Sequence, residues 1–177
     1  MDVETLLPRS RTPRDYLDVV ADPRVDAAGM RVLARSPYPF VRLAVAEDVR
    51  ADAVALRELL AGSFSEWDRN RLLRLVARHP QADRGVLLDV LKEIAARLDR
   101  RTSRPYAAAI AVAGRRELAP HEVRRLQRLP GASRRMRRGV ERALAARADE
   151  ETRLPRLTAR PAGRDHADPP AAGPRPG

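Results

Sequence analysis

Val45-Ala46-Glu47-Asp48-Val49-Arg50-Ala51-Asp52, followed by Leu56 and Leu59, decides the fold. It reads as a helix end, a short turn and a helix start. Asp52 opens the new helix, where its carboxylate accepts hydrogen bonds from amide groups that have no partner in the first turn. Leu56 and Leu59, four and seven residues on, share one helical face. The same pattern recurs three times. Val19-Val20-Ala21-Asp22-Pro23-Arg24-Val25-Asp26 leads to Met30 and Leu33. Val76-Ala77-Arg78-His79-Pro80-Gln81-Ala82-Asp83 leads to Leu87 and Val90. Val112-Ala113-Gly114-Arg115-Arg116-Glu117-Leu118-Ala119 leads to Val123 and Leu126. The offsets between copies are 26, 31 and 36 residues, so the unit lengthens along the chain. The helices upstream of the turn also match: Val41, Ala44 and Val45 align with Leu72, Leu75 and Val76.

Working outward, other start signals agree with a helical reading. Thr12-Pro13-Arg14-Asp15 is a capping box with proline at the first helical position. Ser65-Glu66-Trp67-Asp68 is a second cap, and Ser103-Arg104-Pro105 precedes the apolar run from Tyr106 to Ala113. The pattern predicts helices near 13–21, 26–35, 40–47, 52–61, 66–78, 83–99, 105–113, 120–128 and 133–150. No alternating run bounded by turn residues suggests a strand. Aromatics are 3% of the chain, so the core must be Leu, Val and Ala, a mixture suited to closely packed helices. The expected class is all-α, with a helical repeat domain over 1–150. From Pro155 the chain is expected to be a disordered, proline-rich tail through 177: six prolines fall in its last 23 residues with few apolar side chains among them.

The stretch Leu33-Ala34-Arg35-Ser36-Pro37-Tyr38-Pro39-Phe40-Val41-Arg42-Leu43-Ala44-Val45-Ala46 carries a family resemblance. Its Val-Arg-x-Ala-Val-Ala core, followed by a turn and a Leu-containing helix, resembles the leucine-rich repeat variant of the HEAT-like helical solenoids. His79-Pro80-Gln81-Ala82-Asp83 with Leu87-Leu88 repeats the second half of the motif. The resemblance spans about residues 12–95 and extends weakly to 128. It implies a right-handed α-solenoid of short stacked helices used mainly for binding. The drifting repeat length departs from a regular superhelix. With no cysteine, an iron–sulfur association cannot carry over.

Composition narrows the function. Without cysteine there are no disulfides or thiolate metal sites. Acidic residues stand where a secretory signal carries positive charge, and no apolar run approaches the ~20 residues of a membrane helix. A cytoplasmic location, no cofactor and no membrane partner are expected. His79, His121 and His166 lack partners at metal-ligand spacing and read as solvated turn histidines. Asp22, Asp26, Asp48, Asp52 and Asp83 recur at repeat positions, which reads as capping, not catalysis. No catalytic constellation is visible, so a non-enzymatic role is expected. Trp67 with Phe64 reads as a staple against a neighbouring helix, ahead of an exposed recognition spot.

Charge is the sharpest functional signal. The net charge is +11. Residues 1–99 and 148–177 are each neutral overall, whereas residues 100–147 hold 14 arginines against Glu117, Glu122 and Glu141. The candidate polyanion contacts are Arg115, Arg116, Arg124, Arg125, Arg134, Arg135, Arg137, Arg138 and Arg142. Guanidinium groups bind phosphate bidentately, which suits a nucleic-acid partner. The equally weighted alternative is a solvated terminal helix in an arginine-biased chain, since Lys92 is the only lysine. No aromatic residue lies in the stretch Ser133–Arg142, so stacking on single-stranded bases is not expected. Two function classes follow: a scaffold for a protein partner, and a nucleic-acid-associated protein.

Overall fold

The computed structural model describes residues 3–9, 11–101 and 103–158. After a 3-10 turn at Val3–Thr5 come α1 (Pro13–Ala21), α2 (Ala27–Leu33), α3 (Pro39–Glu47), α4 (Ala53–Ala61) and α5 (Glu66–Arg78). They are followed by α6 (Arg84–Arg100), α7 (Tyr106–Ala113), α8 (Pro120–Arg124), a 3-10 turn at Arg125–Arg128, and α9 (Arg134–Thr158). Among the described residues there is no strand. The expected helices all form. The one that differs most is α9, which runs past 150 and through Pro155 to Thr158, where the tail was expected to have begun. Proline removes one helical hydrogen bond but does not forbid helical φ, so it is a weaker stop than the sequence reading made it. The expected tail from 159 onward lies outside the described residues.

Caps form as the residue types dictate. The Thr12 hydroxyl accepts from the amide of Asp15, whose carboxylate accepts in return from the amide of Thr12 at 2.6 Å. Asp26, Asp52 and Asp83 accept from amides three residues on, at 2.8–2.9 Å. Ser65 does the same for α5.

The helices pack in two layers. α1, α3, α5, α7 and α9 touch one another in that order. α2, α4, α6 and the Arg125–Arg128 turn do likewise on the other side. Met30, Leu33, Leu56, Leu59, Leu87, Val90, Val123 and Leu126, the fourth and seventh positions of the four copies, are all buried in one core. Each such Leu contributes about 1.5–3 kcal/mol by leaving water.

A polar spine joins the turns. Helix ends leave carbonyls without partners, and cations are favoured there. Arg50, between α3 and α4, donates to the carbonyls of Val20 (2.6 Å), Asp22 (2.7 Å) and Val25 (3.0 Å) in the preceding turn. His79, between α5 and α6, lies 2.9 Å from the Asp48 carbonyl through Nε2, while Nδ1 accepts from the Gln81 amide at 3.1 Å. Because the amide must donate, Nε2 carries the hydrogen. Asp22 and Asp48 accept from the amides of Arg24 and Arg50 in the same way, so the His79 ring replaces a carboxylate. The expectation of a solvated turn histidine fails here: His79 is 3% exposed, because a ring with both nitrogens bonded can be buried. Arg115, between α7 and α8, donates to the carbonyls of Ala77 (3.3 Å), His79 (2.7 Å) and Ala82 (2.9 Å). Arg147 of α9 closes the series on the carbonyls of Arg115 and Leu118.

These contacts make acid sensitivity testable. The Arg24 side chain and amide hold the Asp22 carboxyl down to about 2. The Arg50 side chain lowers Asp48, the Arg31 side chain lowers Asp52, and the Val86 amide with Arg57 lowers Asp83. A carboxyl that is more acidic folded than unfolded (about 3.9) adds stability that is fully present above about pH 5. That stability is lost as pH falls through the folded values. Thermal melts at constant salt should therefore show Tm falling between about pH 4 and pH 2. A Tm that stays level to pH 2 would show these aspartates unbonded.

Candidate functional site

The nine candidate arginines divide by what the fold does with them. Arg115 is used internally: besides the three carbonyls it holds Glu117 through Nε and Nη2. Arg116 pairs with Glu150 at 2.9 Å, and Arg124 lies 3.3 Å from Glu141. Arg125, Arg134, Arg135, Arg137, Arg138 and Arg142 are exposed and have no carboxylate partner among the described residues. Arg142 does reach the Arg138 carbonyl at 3.4 Å. Elsewhere several arginines are matched. Arg31 meets Asp52, Arg35 meets Glu58 at 2.5 Å, Arg57 meets Asp83 at 2.8 Å, and Arg84 meets Glu122 at 2.8 Å.

Arg115 and Arg116 thus differ sharply although they are adjacent. Arg115→Ala strands three carbonyls in a turn and should cost about 3 kcal/mol. Arg116→Ala removes a surface pair and should change stability by less than about 0.5 kcal/mol. Urea unfolding of the two variants checks this, and equal midpoints would refute the internal role.

Unpaired charge gathers on α9. Arg135, Arg138 and Arg142 follow a three- and four-residue spacing and so form one stripe, while Met136, Val140 and Leu144 are buried beneath. Gly139 is what lets α9 lie close on α7: a β-carbon there would stand 2.5 Å from Cδ1 of Ile110. An open depression of about 720 Å³ is lined by Gln127, Arg135, Arg137, Arg138, Glu141 and Arg142. A second, of about 710 Å³, is lined by Arg104, Tyr106, Ala107, Ile110, Ser133 and Arg135. A third, of about 460 Å³, is lined by Trp67, Asn70, Arg71, Arg74 and Ala107. The first two share Arg135 and the last two share Ala107, so they run edge to edge from α9 over α7 to α5. The floor is low because α7 is built largely of alanine.

Trp67 corrects the sequence reading. It is 73% exposed, not a staple in the core. Phe64 takes the packed position instead, with the Arg42 guanidinium 4.1 Å from its ring centre. Arg74 and Arg104 were also missed: both are exposed, with no carboxylate partner among the described residues, and both line this path. Nothing in the local sequence separates them from paired arginines. Their significance depends on which helices become neighbours.

Among the described residues, no helix is long and apolar enough to cross a membrane, and no three His, Cys, Asp or Glu side chains gather as a metal site requires. The chain matches no protein-family model, no curated protein and no solved structure.

Proposed function

We propose that the chain is a non-enzymatic binding module, an α-solenoid of the leucine-rich-repeat-variant kind, that holds nucleic acid by its phosphates through α9. One observation carries this reading: Arg134, Arg135, Arg137 and Arg138 stand exposed side by side at the start of a single helix, and none has a carboxylate partner among the described residues. Unpaired guanidinium groups give up no existing ion pair when they meet phosphate, and their fields add. Support for the solenoid comes from the two-layer order of the helices and the stepwise spine of turns. In this reading the protein works in the cytoplasm.

A titration of duplex DNA and structured RNA at low and physiological salt tests the proposal. Binding that weakens steeply as salt rises is the expected result, with little sequence preference. No binding at low salt would leave the arginines as a solvated face. The protein-scaffold reading would then take over. A depression of about 290 Å³ favours that second reading. It is lined by Leu88, Leu91, Ala95, Leu126 and Leu129 among others, on the layer away from α9.

A further inference from the structure

We infer that the path from α9 over α7 to α5 is a single-strand site, in which an unpaired base stacks on Trp67 while phosphates follow the arginines. This rests on the nucleic-acid reading above and names the form of nucleic acid. Three observations carry it. Trp67 is the most exposed of the large apolar side chains among the described residues, at 73%, and it lines an open depression. That depression shares Ala107 with the next, and the next shares Arg135 with the α9 stripe, so the indole and the unpaired arginines belong to one path. Finally, the cations along it are available. Arg74, Arg104, Arg135 and Arg138 have no carboxylate partner among the described residues, although Arg71 is held by Glu47 at 2.7 Å.

Charge complementarity selects an anionic occupant, and the indole selects among anions. A phosphate chain without bases leaves Trp67 with nothing to cover it. A duplex turns its bases inward and offers no π-face along its side. A single strand presents phosphate and base together, the pair of groups that a basic groove with an aromatic platform holds. Packed helices lie about 8–10 Å apart, so the path from α5 to α9 spans roughly 16–20 Å, room for about four nucleotides. The alanine floor of α7 leaves the strand space to lie between the higher walls. The structure thus adds an exposed indole that the arginine-rich start of α9 lacks in its own sequence.

Trp67 is the only tryptophan, so its emission reports on this site alone. The experiment titrates the full chain at low salt with a twelve-nucleotide oligo-dT, a duplex of the same length, inorganic polyphosphate and poly-glutamate. Oligo-dT should quench Trp67; the duplex and the two base-free polyanions should not. By anisotropy of labelled strands, Trp67→Ala should weaken oligo-dT binding roughly tenfold and leave duplex binding unchanged. Trp67→Phe should recover most of the loss. The residue is exposed, so circular dichroism should show both variants folded. If oligo-dT binds without quenching, or Trp67→Ala binds it like wild type, the single-strand site is wrong while phosphate binding by α9 stands. Equal quenching by duplex, polyphosphate or poly-glutamate also overturns it, since the signal would then not come from a base. Failure of every nucleic acid to bind overturns both readings.

Discussion

Leu87→Asp should cost at least about 3 kcal/mol, a large share of the roughly 5–15 kcal/mol that holds a domain of this size together. Leu87 is fully buried four residues after the Asp83 cap, on a helix that touches α4, α5 and α7. A carboxylate placed there loses water and finds no cation, so it either carries the full desolvation cost or takes up a proton against its ordinary acidity. Leu56→Asp repeats the experiment one copy earlier, in α4, and should behave alike. Leu88→Asp is the control: the neighbouring side chain is 37% exposed and its carboxylate can stay wet. Urea unfolding followed by far-ultraviolet circular dichroism measures all three. If repeats support only their neighbours, hydrogen exchange should loosen most in α4 and α6 and less toward α1 and α9. Leu87→Asp as stable as wild type would mean that the fourth position after the cap does not face the core.

That test probes the part of the fold the sequence carried best. A cap and two apolar residues at fixed spacing are local features, and all eight apolar positions they mark are buried. The turn between helices was less legible. Asp22, Asp48, His79 and Arg115 occupy one column of the repeat, and each serves the same spine. Column membership was the available signal that Arg115 points inward, yet by residue type alone it joined Arg116 among the surface arginines. Trp67 and Arg135 show the opposite limit. They are far apart in sequence and come to line adjoining depressions only because α7 lies between α5 and α9. Of the two aromatics in this stretch, Phe64 is packed under Arg42 and Trp67 is left exposed, a choice that residue type does not decide.

Replacing Arg134, Arg135, Arg137 and Arg138 together with Ala should abolish most of the salt dependence of duplex binding. Each phosphate contact releases counterions, and about five contacts give a log–log slope near −4.5. Between 50 and 200 mM salt such a slope lowers affinity several-hundred-fold by the same relation. With four contacts removed the slope should flatten toward about −1, and low-salt affinity should fall for every sequence alike. Helix content should hold, because alanine is the strongest helix former and none of the four side chains is buried. Loss of positive charge anywhere lowers attraction somewhat, so a second variant separates site from field. Arg31→Ala, Arg35→Ala and Arg57→Ala together remove three charges that already face Asp52, Glu58 and Asp83 in the other layer. That triple variant should keep the wild-type slope and lose only a little affinity, because a cation already neutralised by a carboxylate releases few counterions from the ligand. Equal loss in the two variants would mean that net charge alone drives association. An unchanged slope in the α9 variant would remove that helix from the interface.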